Sequence, residues 1–134
     1  MGDDASVVSS TEEDTVSDTN ADEACLFCRV VSGDLPTEVV EQSDLSMAFR
    51  DVDPQAPTHV LVVPRRHSPT LPELAEDDPA SAVDVLRVAR RVALAESIGD
   101  GYRLVCNNGA GAQQTVFHAH VHVLGGRELT WPPG

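Results

Sequence analysis

The alternation of apolar and polar residues along the chain predicts five short strands. Each predicted strand is a block rich in β-branched or other apolar residues, with turn-forming residues between the blocks. The predicted strands cover residues 38–42, 46–52, 59–63, 103–107 and 119–124. Residues 64–72 are predicted to form a loop that is followed by about one helical turn.

Two helices are predicted from their end signals and their apolar spacing. Gly33 is a typical stop for a short helix over residues 25–32. Asp78 and Pro79 suit the N-cap and the first position of a long helix that ends at Gly99. One broad side of the long helix is apolar, as in a helix that covers a sheet. The order β-β-β-α-β-β predicts an α+β fold, in which a five-stranded antiparallel meander is covered by one long helix and accompanied by a short one.

Acidic residues are concentrated at the N-terminus. Eight of the 22 Asp and Glu residues lie within residues 1–24, where none of the nine basic residues occurs. Such a segment has too little apolar surface to offset the entropy that is lost on ordering. Residues 1–24 are therefore predicted to form a disordered acidic tail, and residues 25–134 to form the one folded domain.

The composition also excludes several classes of partner. The folded region stays acidic overall, whereas duplex nucleic acid requires clustered cations, so no nucleic-acid partner is expected. No membrane partner is expected either, because no stretch approaches the roughly 20 apolar residues of a membrane span. Three cysteines, an odd number, without a recognisable secretory signal indicate a reducing compartment, and the predicted location is cytoplasmic.

Three of the five histidines alternate with apolar residues in the last predicted strand. A period of two places His118, His120 and His122 on one face of that strand, with neighbours roughly 6.6–6.8 Å apart. Such a row suits metal binding. It also suits phosphoryl or nucleotidyl transfer, in which one imidazole attacks while its neighbours supply protons and positive charge. A polar strand face without any chemistry is the third interpretation.

The loop before the histidines favours group transfer. Residues 107–115, with the sequence NNGAGAQQT, connect two predicted strands and end close to the histidine row. The two glycines allow backbone N–H groups to approach an anion, and Gln114 and Thr115 add an amide and a hydroxyl. Such a loop is a weak signal alone, but beside three histidines it indicates a phosphate-binding site.

The run His118-Ala-His-Val-His-Val-Leu resembles the signature of the histidine-triad superfamily, in which histidines alternate with apolar residues. Two flanking segments, AFRDVDPQAPTHVLVVPRRH at residues 48–67 and VLGGRELTWPPG at the C-terminus, are similar to the histidine-triad nucleotide-binding protein branch. Members of that branch act as adenosine 5′-monophosphoramidases. The resemblance covers about Cys25 to Gly134. It implies the histidine-triad fold, a homodimer whose sheets join into one continuous sheet, and a purine nucleotide or nucleoside phosphoramidate as ligand.

The resemblance also implies a role for each matching residue. His120 would be the nucleophile that becomes nucleotidylated, and His118, His122 and His59 would belong to the same catalytic network. Asp51 would accept hydrogen bonds from the ribose hydroxyls, although a role in opening a turn stays open for its carboxylate. The other implied nucleotide contacts are Val52, Phe27, Val30 and Leu35 around the purine, and Asn107, Gln113, Gln114 and Thr115 at the phosphate. For Phe27, Val30 and Leu35, a plain core role is an equally open interpretation.

One position of the loop departs from the family pattern. Gln113 lies where the family usually has glycine, and Thr115 replaces a serine whose hydroxyl it keeps. A Cβ atom at a position of glycine-like conformation is unfavourable. The amide contact that the resemblance implies between Gln113 and phosphate is therefore in doubt.

The implied reaction is the hydrolysis of a purine nucleoside 5′-phosphoramidate through a covalent nucleotidyl-histidine. Neutral His120 attacks the α-phosphorus while an acceptor, expected to be a backbone carbonyl, holds its other ring N–H. Water then releases AMP. No cofactor is required for catalysis, because imidazolium groups and backbone dipoles can offset the developing charge. The alternatives are a diadenosine polyphosphate hydrolase of the same superfamily, a nucleotide-binding scaffold with incidental turnover, and a metalloenzyme with its metal in the triad.

A Cys-x-x-Cys pair at Cys25 and Cys28 raises the question of a structural zinc ion. This spacing allows two thiolates to reach one ion, and His67 and His118 are the candidates for the other two tetrahedral ligands. Some bacterial histidine-triad proteins resemble this chain at these four positions, and there they hold zinc. Unmetallated thiols and a labile disulfide are the alternatives.

Overall fold

A five-stranded antiparallel sheet forms the centre of the structure, which is a computed structural model that describes residues 24–134. Its strands are β1 (Val39–Gln42), β2 (Ser46–Arg50), β3 (Thr58–Pro64), β4 (Tyr102–Val105) and β5 (Val121–Gly125). The helices are α1 (Leu26–Ser32), α2 (Leu71–Asp77) and α3 (Pro79–Ala95). The strand order is β1-β2-β3-β5-β4, and all neighbours are antiparallel. The predicted α+β fold is confirmed, with β5 inserted between β3 and β4.

Strand alternation divides the apolar side chains between the two faces of the sheet. On one face α3 packs over a buried core, which consists of Ala48, Val60, Val62, Val85, Val88, Ala89, Val92, Ala93, Ile98, Val121 and Val123. On the other face Phe27 and Val30 of α1 pack against strand residues that include Leu61. Leu61 pairs with His122 across β3 and β5, so this histidine lies on the face that α1 covers.

The ends of α1 and the start of α3 follow the sequence signals. The sulfur of Cys25 accepts a hydrogen bond from the Cys28 N–H at 3.4 Å at the start of α1, and Gly33 ends the helix with a φ of 88°. At the start of α3 the Asp78 side chain accepts the Ser81 N–H. Since α1 has only seven residues, it depends on its contacts with the sheet for stability.

Two helix boundaries differ from the prediction. The segment after the predicted loop is a complete helix, α2, because Thr70 caps it by accepting the Glu73 N–H at 3.3 Å. The sequence signal for this helix was the Thr-x-x-Glu spacing. Helix α3 ends before Gly99, because Ser97 adopts a φ of 62° in the left-handed region.

The last strand also begins later than predicted. Strand β5 starts at Val121, because the Ala119 N–H donates to the Ser68 carbonyl at 2.6 Å instead of to a neighbouring strand. His118 and His120 therefore lie in the segment just before β5, and only His122 lies within the strand. The three rings consequently do not form the simple row that strand alternation alone would produce.

The predicted acidic tail lies outside the described residues apart from Ala24, so its disorder stays a prediction. Within residues 24–134, none of the helices combines the length and apolar character that a membrane crossing requires.

Candidate functional site

The imidazole of His120 is held so that one ring nitrogen is available for reaction. Its Nδ1–H donates to the carbonyl of His118 at 2.7 Å, and in a neutral imidazole this leaves the lone pair on Nε2. Phe27 contacts the ring edge-on, with 5.0 Å between the centroids. Burial lowers the pKa of His120 below its ordinary value, so the ring is neutral at physiological pH. A neutral imidazole with an available Nε2 is suited to nucleophilic attack.

A chain of hydrogen bonds determines the tautomers of His59 and His122. The backbone N–H of Gln55 donates to His59 Nδ1 at 3.0 Å, so the proton of the neutral ring lies on Nε2. His59 Nε2 is 2.9 Å from Nδ1 of His122, and its N–H donates to that atom. His122 then carries its own proton on Nε2. Burial, followed by the neighbouring imidazoles of His120 and His59, lowers the pKa of His122 to about 4.

The carboxylate of Asp51 lies beside this pair. Its Oδ2 is 3.3 Å from His59 Nε2, and its Oδ1 accepts the Asp53 N–H at 2.8 Å. Desolvation lowers the pKa of His59, and the negative charges of Asp51 and Asp53 oppose this effect. Asp51 thus shapes the turn after β2 and also lies beside His59.

Asp51, His59 and His122 also bring three possible metal ligands within 4.8 Å of one another. A metal ion on His59 Nε2 would require the ring proton to lie on Nδ1, which already accepts the Gln55 N–H. The hydrogen-bond pattern therefore suits a proton-sharing network better than a metal site. This argues against a metal ion held by Asp51, His59 and His122.

A second cluster brings together the four residues that the Cys-x-x-Cys motif predicted as ligands. The candidate ligand atoms of Cys25, Cys28, His67 and His118 all lie within 4.8 Å of one another. His118 Nδ1 is 3.4 Å from each sulfur and 3.3 Å from His67 Nδ1. Tetrahedral zinc, with bonds of about 2.0–2.3 Å, separates its ligand atoms by roughly 3.3–3.8 Å. The donor set and its spacing fit a zinc ion.

The ring orientation of His118 and the lowered pKa of Cys25 also suit a zinc site at this cluster. His118 Nε2–H donates to the Pro64 carbonyl at 2.8 Å, which leaves the lone pair of Nδ1 directed into the cluster. The hydrogen bond with Cys28, assisted by the imidazoles of His118 and His67, lowers the pKa of the Cys25 thiol against the opposing effect of burial. Thiolate is the form that binds metal.

The loop between β4 and the histidines is organised by Gln114. Its buried side chain accepts the Gly109 N–H at 2.8 Å and donates to the carbonyls of Pro69 and Val116 at 2.7 and 3.0 Å. A phosphate contact from this amide, as the resemblance implies, would require the loop to give up these bonds. Thr115 is exposed next to it.

Gln113 occupies the position where the family usually has glycine. Its φ of 69° lies in the left-handed region, which is the conformation that favours glycine. Its N–H donates to the Ala110 carbonyl at 3.0 Å. The side chain is exposed, so the loop carries a strained residue at its surface without a buried clash.

The residues expected around the purine occupy different environments. Phe27 and Val30 are buried in the core cluster of the histidine-bearing face, and Leu35 is partly buried against it. Val52 is 97% exposed and lies on the rim next to Asp51. Asn107 is half-buried beyond the end of β4, two residues after Val105, which pairs with His122.

Sequence reasoning missed the residues that orient His59. The backbone N–H of Gln55 donates to His59 Nδ1, and the Arg127 guanidinium donates to the Gln55 carbonyl. A backbone N–H has no sequence signal of its own, because its direction depends on the shape of the loop. Arg127 lies in the C-terminal segment that carries the resemblance, but no role was predicted for it.

Comparisons with known proteins agree with this geometry. The sequence profile of the HIT domain matches residues 32–129. An uncharacterized HIT-like protein of Synechocystis is 46% identical over 112 residues, which cover 84% of this chain and 98% of the relative. The structure of a HIT family hydrolase from Legionella pneumophila has a TM-score of 0.78 and 45% identity, over 82% of this chain and 99% of that one.

A more distant structure extends the comparison to a eukaryote. The histidine triad nucleotide-binding protein from Candida albicans has a TM-score of 0.69 and 27% identity, over 81% of this chain and 82% of that one. The profile match includes the three alternating histidines and the strand that carries His59. The matched residues make up most of the chain, and we conclude that it belongs to the HIT domain family.

Proposed function

We propose that this chain is a purine nucleoside 5′-phosphoramidate hydrolase of the adenosine 5′-monophosphoramidase type. The observation that carries the proposal is the bond from His120 Nδ1–H to the His118 carbonyl, because it leaves Nε2 as a nucleophile in a neutral ring. The similarity to a solved HIT family hydrolase and to a histidine triad nucleotide-binding protein supports the same reaction class.

In the first step, the lone pair of His120 Nε2 forms a bond to the α-phosphorus while the phosphorus–nitrogen bond of the substrate breaks. The electron pair of that bond stays on the leaving amine, which takes up a proton through the neighbouring histidines. The Nε2–H of His122 donates to a phosphoryl oxygen and stabilises the negative charge that develops there. The His118 carbonyl stabilises the positive charge that His120 gains on becoming phosphorylated.

In the second step, water attacks the nucleotidyl-histidine. The new phosphorus–oxygen bond forms as the bond to His120 Nε2 breaks, and the electron pair returns to the ring. The water proton passes into the histidine network, and AMP leaves. The enzyme regains its starting protonation state, so the cycle requires no cofactor.

The nucleotide would lie across the histidine-bearing face. Asp51 has two acceptor oxygens for the ribose hydroxyls, and Phe27, Val30, Leu35 and Val52 would enclose the purine. At the phosphate, Thr115 contributes its hydroxyl, with Asn107 and the backbone of Gln113 beside it. We give Gln114 the role of shaping this loop, because its side-chain amide is engaged within the protein.

Rapid-quench mass spectrometry with an adenosine phosphoramidate tests the mechanism. The expected product is a covalent adenylate that maps to His120 and disappears when the substrate is exhausted. His120→Ala protein is the control and should carry no label. Turnover without any label on His120 would exclude the proposed mechanism.

Two alternatives remain distinguishable by assay. A diadenosine polyphosphate hydrolase of the same superfamily would prefer a dinucleotide, so kcat/KM for a phosphoramidate and a diadenosine polyphosphate should be compared on one preparation. A nucleotide-binding scaffold would bind AMP with a low kcat/KM for both substrates. The C-terminal Trp131-Pro132-Pro133-Gly134 segment favours the phosphoramidate, since it resembles that branch.

We also propose a structural zinc ion held by Cys25, Cys28, His67 and His118. The distances between the ligand atoms and the orientation of His118 Nδ1 support it. Zinc has no redox chemistry, and four protein ligands leave no open position. The ion would attach the start of α1 to the segment before β5 without taking part in catalysis.

We propose further that the protein is a homodimer joined through edge strand β4. Val83, Leu86 and Leu94 form an exposed apolar stripe along α3, and Leu104 of β4 is exposed on the same face of the sheet. An unpaired strand next to an apolar stripe favours a second copy as partner, since pairing covers both. The family resemblance, which implies a continuous sheet, supports this arrangement.

A cytoplasmic location is proposed on the basis of the cysteines. Within the described residues the cysteines form no disulfide, and Cys106 is exposed. Exposed thiols persist in a reducing compartment.

A further inference from the structure

Arg127, beyond the end of β5, contacts the loop that precedes β3. Its Nε and Nη2 both donate to the Gln55 carbonyl, at 3.2 and 3.0 Å, and its Nη1 donates to the Glu128 carbonyl at 2.9 Å. Two charged donors on a single carbonyl oxygen fix both its position and its direction.

The approach of these two segments depends on Gly126. Its φ of 89° lies in the left-handed region, and a Cβ atom there would come within 2.9 Å of Pro57 Cβ. The tight packing of Gly126 on Pro57 therefore brings the adjacent arginine onto Gln55. This contact is independent of the hydrogen bonds from Arg127, and both join the same two loops.

Arg127 holds the Gln55–Ala56 peptide, which shares the Cα atom of Gln55 with the peptide that contacts the histidine network. The N–H of Gln55, in the Pro54–Gln55 peptide, donates to His59 Nδ1 at 3.0 Å. The side-chain amide of Gln55 donates to the Asp53 carbonyl at 3.0 Å, which adds a further restraint on the loop. Rotation of the Gln55 backbone would withdraw the N–H that keeps the His59 proton on Nε2.

Without that N–H, Nδ1 of His59 would lose its donor, and the His59 tautomer would depend on the Asp51 carboxylate, 3.3 Å from Nε2. The ring could then carry its proton on Nδ1 and present a lone pair to His122 Nδ1. His122 would move its own proton from Nε2 to Nδ1 in response, and it would lose the donor that faces the phosphoryl group in the proposed mechanism. The loss would affect catalysis more than nucleotide binding.

We propose that Arg127 is a positioning residue, which holds the Gln55 backbone so that His59 keeps its proton on Nε2 and His122 keeps a donor for the substrate. The inference rests on the proposed hydrolase function for its effect on rate. Its structural part, the tautomer of His59, concerns the free protein. Removing an outer partner that fixes a histidine tautomer typically costs 10–100-fold, and we expect kcat of Arg127→Gln to fall by roughly that factor with KM nearly unchanged.

Arg103→Gln is the matched control. Arg103 is also partly exposed, and its Nη2 donates to the Thr130 carbonyl at 2.9 Å in the same C-terminal segment, but it does not contact the Gln55 loop. Arg103→Gln should keep both kcat and the His59 tautomer. Arg127→Lys retains one charged donor and should recover part of the kcat that Arg127→Gln loses.

The deciding measurement is ¹⁵N NMR of the histidine rings in the full chain without substrate. In wild type and Arg103→Gln, the ¹⁵N chemical shifts of His59 should show a protonated Nε2 and an unprotonated Nδ1. In Arg127→Gln, the two ¹⁵N shifts should be averaged between the tautomers or should show the proton on Nδ1. An unchanged His59 spectrum in Arg127→Gln would overturn the proposal, whether or not kcat falls. Equal losses of kcat in both arginine variants would also overturn it. Because the spectrum needs no substrate, it stays informative even if the phosphoramidase assignment fails.

Discussion

At the residue scale, three histidine rings on the active face each have one nitrogen engaged by a backbone group. Carbonyls accept from His118 and His120, and an amide N–H donates to His59. Peptide groups do not titrate in the range where imidazole does, so each backbone partner continues to favour the same tautomer of a neutral ring. Side chains of the same type are thereby suited to different proposed roles: a nucleophile, a donor relay and a metal ligand.

Substitution of two histidines should separate their roles. His120→Ala should abolish turnover and the covalent adenylate together, because no other Nε2 replaces the nucleophile. His122→Ala should retain a measurable rate, lower by ~10²–10⁴, or about 3–5 kcal/mol of barrier, since it loses only proton and charge stabilisation. Steady-state kinetics measures both variants. More residual activity in His120→Ala than in His122→Ala would reverse the assignment.

The depressed histidine pKa values predict an unusual acid limb of the pH profile. An ordinary histidine loses half of its neutral form at 6.5, whereas the pKa of His122 is lowered to about 4 and that of His120 is also lowered by burial. Attack requires neutral His120, whose pKa lies below the ordinary 6.5, so the acid limb of kcat/KM should be displaced to lower pH than that of an ordinary histidine. An acid limb centred at 6.5 would contradict this assignment.

The pH dependence of the free energy of unfolding is the control for this kcat/KM profile. Because the folded state holds His122 neutral below 6.5 while the unfolded chain becomes protonated, the unfolded state binds more protons in this range. The free energy of unfolding should therefore decrease as pH falls from 6.5 towards about 4. Circular dichroism at each pH shows whether lost activity reflects protonation of the site or unfolding.

The sequence was enough to single out these histidines as candidate site residues, but not to predict the hydrogen bonds that orient their rings. Their spacing and the resemblance identified His120 and His59, because side-chain identity carries the chemistry. The roles of Gln55 and Arg127 depend on a loop shape that brings residues 72 positions apart into contact. Gln114 was expected at the phosphate, and its side chain instead bonds within its own loop and to Pro69, since a buried amide must satisfy its hydrogen bonds.

At the element scale, the zinc proposal concerns the attachment of α1. Cys28→Ser removes one of the four ligands, and the protein should lose about one equivalent of zinc. Its melting temperature should fall by roughly 10 °C, corresponding to about 2 kcal/mol or less for a domain of this size. Elemental analysis and thermal unfolding, on protein purified without chelator, make the test.

Cys106→Ser is the matched control for that experiment. Cys106 is exposed, forms no disulfide and lies outside the four-residue cluster. This variant should retain zinc and melt like the wild type. Substoichiometric zinc in the wild type, with Cys25 and Cys28 freely titratable in the native state, would disprove the proposal.

The elements themselves were largely predictable, because their signals are local. The Asp78-Pro79 pair and Gly33 marked helix ends through capping geometry that belongs to a few adjacent residues. The start of β5 was not predictable, because it depends on the Ser68 carbonyl, which takes the Ala119 N–H from a distant part of the chain. The alternation of histidines with apolar residues correctly predicted a strand at His122. It did not predict that His118 and His120 would precede that strand.

At the scale of the whole molecule, the proposed dimer can be tested at the α3 stripe. Leu86→Glu places a charge on the exposed apolar stripe next to β4 and should convert the dimer to a monomer. Leu45→Glu is the control, because Leu45 is similarly exposed but lies in the turn before β2, near the opposite edge of the sheet. Light scattering at micromolar concentration gives the mass. A monomeric wild type, or dissociation by Leu45→Glu alone, would contradict the proposed interface.

The insertion of β5 between β3 and β4 affects how the molecule matures. During synthesis, β3 ends at Pro64 and has only β2 as a neighbour until β5 begins at Val121, whereas only residues 106–120 separate β4 from β5. His118 and His120 immediately precede β5 and His122 lies within it, so three of the five histidines emerge in this late part of the chain. Long-range pairings of this kind form slowly. The histidine-bearing face is therefore complete only after β5 has paired with both neighbours, and we expect the proposed turnover to begin only at that point.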